Sequence, residues 1–99
     1  MKEQPQCEVY TGGSKVWRLN NKLHREDGPA IERSDGTKQW YLHDKRHRED
    51  GPAMEWADGR KQWCLHGEEV HPEQIVDYHL SRGTFCYYDK QSNELRFEE

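Results

Sequence analysis

The chain has 99 residues, 34% charged and 31% apolar, with a net charge of −4 at neutral pH. That length gives a single domain spanning 1–99, too poor in aliphatic residues for a deep core, so four Trp, five Tyr and two Phe must carry the burial, each large ring contributing about 150–250 Å². The acidic balance argues against a domain that grips nucleic acid through its phosphates, and no run approaches membrane-spanning length.

In chain order, CEVYTGGSKVWRL (7–19) reads as a first hairpin turning at Gly12-Gly13. The chain reverses again at Asn20-Asn21 and enters HREDGPA at His24–Ala30. A second unit follows: a strand from Ile31, a turn at Asp35-Gly36, the strand Lys38–Leu42, a reversal at His43-Asp44, and HREDGPA again at His47–Ala53. A third unit repeats this from Met54 through Asp58-Gly59 to Leu65 and the turn His66-Gly67. Trp17, Trp40 and Trp63 keep one interval of 23 residues, as do Lys15, Lys38 and Lys61, and Leu19, Leu42 and Leu65. A fixed period in this range is the signature of a repeat architecture.

The period sets the expected fold: mainly β, with stacked hairpins forming an elongated, twisted antiparallel sheet over residues 7–67. A type I′ turn at Asp35-Gly36 would place Ile31 opposite Trp40; the same geometry places Met54 opposite Trp63 and Trp56 opposite Lys61. Strand alternation then assigns Trp17, Trp40, Trp63, Leu19, Leu42, Leu65, Ile31 and Met54 to the core. Tyr41, Gln39, Gln62 and Cys64 fall on the opposite, solvent face.

HREDGPA reads as a connector. Asp caps backbone donors, Gly accepts an unusual φ, Pro fixes φ and withholds an N–H from any ladder, and Ala begins the next strand. Its His, Arg and Glu are expected to pair with charges on the neighbouring unit.

The third copy gives way to VHPEQIVDYHLSRG. Pro72 starts a helix, Ile75, Val76, His79 and Leu80 recur at helical spacing, and Gly83 marks the stop. TFCYYDKQSNELRFEE reads as a last hairpin, so 68–99 form a cap of the kind that terminal repeats require.

The unit in WYLHDKRHREDGPAMEWADGRKQW resembles the MORN repeat through its period and its Trp, His and Asp-Gly positions. HREDGPA departs from that family's usual H-G-x-G-x and is similar to the HRxDGPA repeats of small proteins from tailed bacteriophages and large viruses. The resemblance covers about residues 7–67. It implies stacked hairpins and protein–protein contact or dimerisation, with no catalytic residue to carry over.

Chemistry-bearing residues add little beyond this. Six His invite a metal site, but the close-spaced ligand pairs of zinc sites are missing, so neither metal nor cofactor is expected. The flanking carboxylates Glu26, Asp27, Glu49 and Asp50 read as solvated salt-bridged loops rather than an enclosed acid–base pair. Cys7, Cys64 and Cys86 form no CxxC pair and read as reduced thiols in a cytoplasm. The expected function is therefore non-enzymatic protein binding through Arg25, Arg48, His24, His47, Tyr41 and Trp56, by a monomer or homodimer. On the phage resemblance, the partner would be a host defence effector, inhibited in the anti-CRISPR manner in the host-cell cytoplasm. The alternative is a small anionic ligand, such as a signalling nucleotide, held by the His-Arg loops.

Overall fold

The computed structural model describes residues 4–97; Met1–Glu3, and Glu98 and Glu99 at the end of the expected final strand, lie outside the described residues. Fourteen elements follow one another: β1 (Gln6–Val9), β2 (Lys15–Leu19), β3 (Lys22–Leu23), β4 (Ile31–Glu32), β5 (Lys38–Gln39), β6 (Tyr41–Leu42), β7 (Lys45–Arg46), β8 (Met54–Glu55), β9 (Lys61–Gln62), β10 (Cys64–Leu65), β11 (Glu68–Glu69), α1 (Pro72–Leu80), β12 (Cys86–Asp89) and β13 (Glu94–Phe97). Among the described residues the fold is mainly β, built from antiparallel hairpins with one short helix and a final hairpin, and none of the sheets is closed. The molecule measures 39 × 37 × 25 Å, so three units make a slab about as long as it is broad.

Two ladders run through the repeats. The main sheet has the order β1-β2-β4-β5-β8-β9, with Val16 paired to Ile31 and Gln39 to Met54 where one unit meets the next. The other ladder consists of three short hairpins, β2/β3, β6/β7 and β10/β11. Each unit's Trp stands at the junction, where the chain leaves one ladder for the other.

The turns differ from the expected assignment. The type I′ turns lie at Asn20-Asn21 (φ 52° and 66°), His43-Asp44 (50° and 67°) and His66-Gly67 (52° and 87°). At Asp35-Gly36 only Gly36 has positive φ, 99°. The Gly36 N–H donates to the Arg33 carbonyl at 3.0 Å and the Arg33 N–H to the Thr37 carbonyl at 2.9 Å, which makes a three-residue loop with a glycine bulge. The extra loop residue moves the register by one. Ile31 pairs with Gln39, not Trp40; Met54 pairs with Gln62, not Trp63; and Lys61 faces Glu55, not Trp56.

That shift redistributes the core. Val16, Ala30, Ala53, Met54, Trp63, Cys64, Ile75, Val76 and Cys86 are buried, together with His24, Thr37, Gln39 and His47. Gln39 and Cys64, assigned to the solvent face, are therefore inside. Of the assigned core only Trp63 and Met54 are buried; Trp17, Trp40, Leu19, Leu42, Leu65 and Ile31 are half-buried. Alternation fails in the second and third units because their strands are only two residues long and are interrupted at Trp40 and Trp63, which resets the face count.

The cap forms as the spacing requires, and the third hairpin reaches past residue 67 to β11, with Val70 N–H on the Trp63 carbonyl at 2.8 Å. Helix α1 starts at Pro72 behind a capping box: the His71 ring accepts from the Glu73 N–H, and the Gln74 side chain accepts from the His71 N–H. Ile75 and Val76 face inward, while Leu80 is exposed. Gly83 ends the segment at φ 82°. Tyr88 of β12 meets the Trp63 ring edge-on at 5.9 Å, closing the last unit.

Candidate functional site: the groove between the repeated loops

Most residues of HREDGPA have a visible task. His24 and His47 are buried, and the Nδ1 atom of each accepts a backbone N–H from the next unit's turn: His43 at 3.0 Å and His66 at 2.9 Å. Nδ1 must therefore be unprotonated, so Nε2 carries the hydrogen. In His47 that Nε2–H donates to Glu49 at 2.8 Å. Burial, with the His43 ring beside it, pushes the His24 pKa down, against the pull of Glu26.

Arg25 and Arg48 lie flat on the Trp of their own unit. The guanidinium carbon is 3.8 Å from the ring centre in both pairs, Arg25 on Trp17 and Arg48 on Trp40. Arg25 also donates to Asp27 and to the Pro29 carbonyl, both at 3.1 Å; Arg48 donates to Asp50 at 2.8 Å and to the Pro52 carbonyl at 3.1 Å. These arginines close their own loops instead of pairing with the neighbouring unit, apart from Arg48 with Glu55 of β8 at 3.5 Å. Ala30 and Ala53 are fully buried, each held by backbone hydrogen bonds on both sides.

Between the two loops lies a groove of about 640 Å³. Trp40 and Leu42 line it from the second unit, Arg25–Gly28 and His47–Asp50 form its walls, and His79 and Phe97 reach it from the cap. Four carboxylates, Glu26, Asp27, Glu49 and Asp50, stand there against two guanidiniums, each already matched to an aspartate. Glu49 also ties the second loop to α1. Burial pushes its carboxyl up, but hydrogen bonds from His47 and Tyr78 and the charge of Arg82 outweigh this and hold it below the usual range. His79 Nε2 donates to the Glu49 carbonyl, and the His79 ring meets Phe97 edge-on at 5.0 Å.

Of the residues picked from sequence, Arg25, Arg48 and His47 line this groove; His24 is buried as the turn support of the next unit. Tyr41 belongs to a separate polar chain: its hydroxyl accepts from Arg46 at 3.3 Å, and Arg46 donates to Gln62 at 3.2 Å. Trp56 lies outside the groove, with the Arg60 guanidinium 5.2 Å from its ring. Sequence reading missed His79 and Phe97 as groove residues, because they come from the non-repeating cap and no period points to them. Leu42 was placed in the core by alternation.

No group of three or more His, Cys, Asp or Glu side chains that could hold a metal ion occurs among the described residues. No described helix is long and apolar enough to cross a membrane. Burial raises the Cys64 and Cys86 thiols, opposite to what an activated nucleophile needs. Set beside protein-family models, curated proteins and solved structures, the chain matches none of them.

Proposed function

We propose that the protein is a non-enzymatic protein-binding module, in a MORN-like repeat frame, whose groove between the two HREDGPA loops receives a basic segment of a partner protein. One observation carries the reading: four carboxylates stand on the groove's rim against two guanidiniums, both committed to their own loops, over a floor of Trp40 and Leu42, which leaves the rim acidic on balance. The same commitments leave a small anionic ligand with less support. The resemblance of HREDGPA to small phage proteins adds a finer proposal. The partner is a bacterial defence effector whose basic nucleic-acid channel is occluded, in the anti-CRISPR manner, in the host-cell cytoplasm.

The test compares wild type with Leu42→Lys, which places a cation on the groove floor. Both are used to capture proteins from nuclease-treated bacterial lysate, after melting curves show that both fold. A single partner held stoichiometrically by wild type, released by salt and lost with Leu42→Lys is the expected result. A partner retained equally by both proteins, or a co-purified anionic small molecule in place of any protein, would sink the proposal.

A further inference from the structure

The repeat fixes a distance as well as a period. Lys15 pairs with Glu32 and Glu32 with Lys38; one unit later Lys38 pairs with Glu55 and Glu55 with Lys61. A residue and its equivalent 23 positions on therefore stand two strands apart in the main sheet, about 9.5 Å. The two HREDGPA loops keep this step, because each hands over to the next unit in the same way. The Leu23 carbonyl accepts the Asp44 N–H at 2.9 Å, and the Arg46 carbonyl accepts the Gly67 N–H at 2.8 Å. Each loop brings two carboxylates and one guanidinium to the groove, a surplus of one negative charge per loop. The surplus thus recurs at intervals of about 9.5 Å.

Acceptor atoms are open on both walls. Asp27 and Asp50 each give Oδ1 to the arginine of their own loop, at 3.1 Å and 2.8 Å, and Oδ2 of each has no partner among the described residues. Their side chains are 88% and 72% exposed. Trp40 and Leu42 lie between the loops. The cap takes the place of a third loop, with His71 where the next arginine would fall, and its Phe97 lines the same groove. The groove therefore runs along the repeat, from the first loop past Trp40 to the cap.

Regular backbones differ in the step at which they carry cations along such a groove. A β-strand returns a side chain to one face every two residues, at about 6.7 Å and then about 13 Å. An α-helix needs seven residues, about 10.5 Å, and is about 10–12 Å wide, too broad for a floor of one tryptophan and one leucine. A polyproline-II segment returns every third residue, at about 9.3 Å. Its prolines also suit an aromatic floor.

We propose, resting on the groove as the seat of a basic partner segment, that its occupant is a polyproline-II segment with a basic side chain at every third position and prolines between. One cation meets Glu26 and Asp27, the next meets Glu49 and Asp50, and the prolines between them pack on Trp40 and Leu42.

Four synthetic peptides of one composition test this: PPRPPRPP, with arginines three residues apart, and its isomers PPPRRPPP, PPRPRPPP and PRPPPRPP. Each is titrated into the full chain while the amides of Trp40, Leu42 and Phe97 are followed. PPRPPRPP is expected to bind about three- to five-fold more tightly than any isomer, the worth of a second exposed charge pair. Glu26→Gln, which removes the surplus charge of the first loop, is expected to erase that preference. Equal affinities for all four peptides would overturn the spacing and leave the basic-segment reading standing. Tighter binding by a helical peptide with arginines seven residues apart would do the same. Groove amides that no peptide moves would remove the basic-segment reading itself.

Discussion

The Arg48 guanidinium carbon lies 3.8 Å from the centre of the Trp40 ring, and a Cβ built on Gly51 would fall 2.6 Å from that same carbon. Gly51 does not have positive φ, so its glycine is explained by the guanidinium that lies over it and not by the turn. The first loop repeats the relation, with Arg25 on Trp17 at 3.8 Å and a Gly28 Cβ at 3.0 Å from the guanidinium. Gly51→Ala is expected to displace the guanidinium from its ring and to cost about 0.5–1 kcal/mol, the worth of such a stack, and Gly28→Ala less. In an Arg48→Ala background the Gly51 penalty should vanish. Urea denaturation of the four proteins in the double-mutant cycle measures this; additive costs would mean that the glycine serves something other than the stack.

Burial ranks the tryptophans. Trp63 is 6% exposed and braced by Tyr88, whereas Trp40 is half-buried on the groove. Trp63→Ala should cost about 3–5 kcal/mol, and Trp40→Ala about 2 kcal/mol. Denaturation midpoints that reversed this order would return the core to the Trp40 face.

Acid should weaken the fold in two stages. His24 is held neutral, with its pKa lowered chiefly by burial, while the unfolded chain takes up that proton near pH 6.5. Stability is thus complete above about pH 6.5 and falls as pH drops through the window below it. Glu49, net lowered in the fold, contributes above its ordinary value of about 4.3 and is lost below that. His24→Asn, which keeps an acceptor for the His43 N–H without titrating, should flatten the upper stage, and Glu49→Gln the lower. Urea midpoints between pH 3 and pH 8 read both stages; an unchanged upper slope in His24→Asn would assign it to another group.

The three thiols should separate by accessibility. Cys7 is exposed, while Cys64 and Cys86 are buried and their thiols raised by that burial. A colourimetric thiol reagent should modify one cysteine quickly in the native protein and the other two only on unfolding. Rapid reaction of two or three would contradict the burial of Cys64 or Cys86.

Much of this architecture is legible in the letters. The interval between Trp17, Trp40 and Trp63 exposes the repeat, Asn20-Asn21 and His43-Asp44 mark reversals, and Pro72 with Gly83 brackets the helix. Register is not legible, because Asp-Gly suits both a two-residue and a three-residue loop, and only the backbone shows that Asp35 stays at negative φ. The face of Gln39 and Cys64 was lost with it. The stacking of Arg25 and Arg48 was equally hidden, since a charged residue in a loop reads as solvated until a ring is found beneath it. The groove escaped for a different reason: it needs His79 and Phe97, whose positions follow from how the cap docks.

The handover at each loop carries a consequence for how such a chain changes size. Leu23 and Arg46 occupy the same place, each offering its carbonyl to the turn ahead, and both are followed by the same seven letters. Excising residues 24–46 as a block would join Leu23 directly to His47 and rebuild an identical seam. The slab can therefore be shortened or extended only in whole steps of 23 residues, and its reach is a matter of counting.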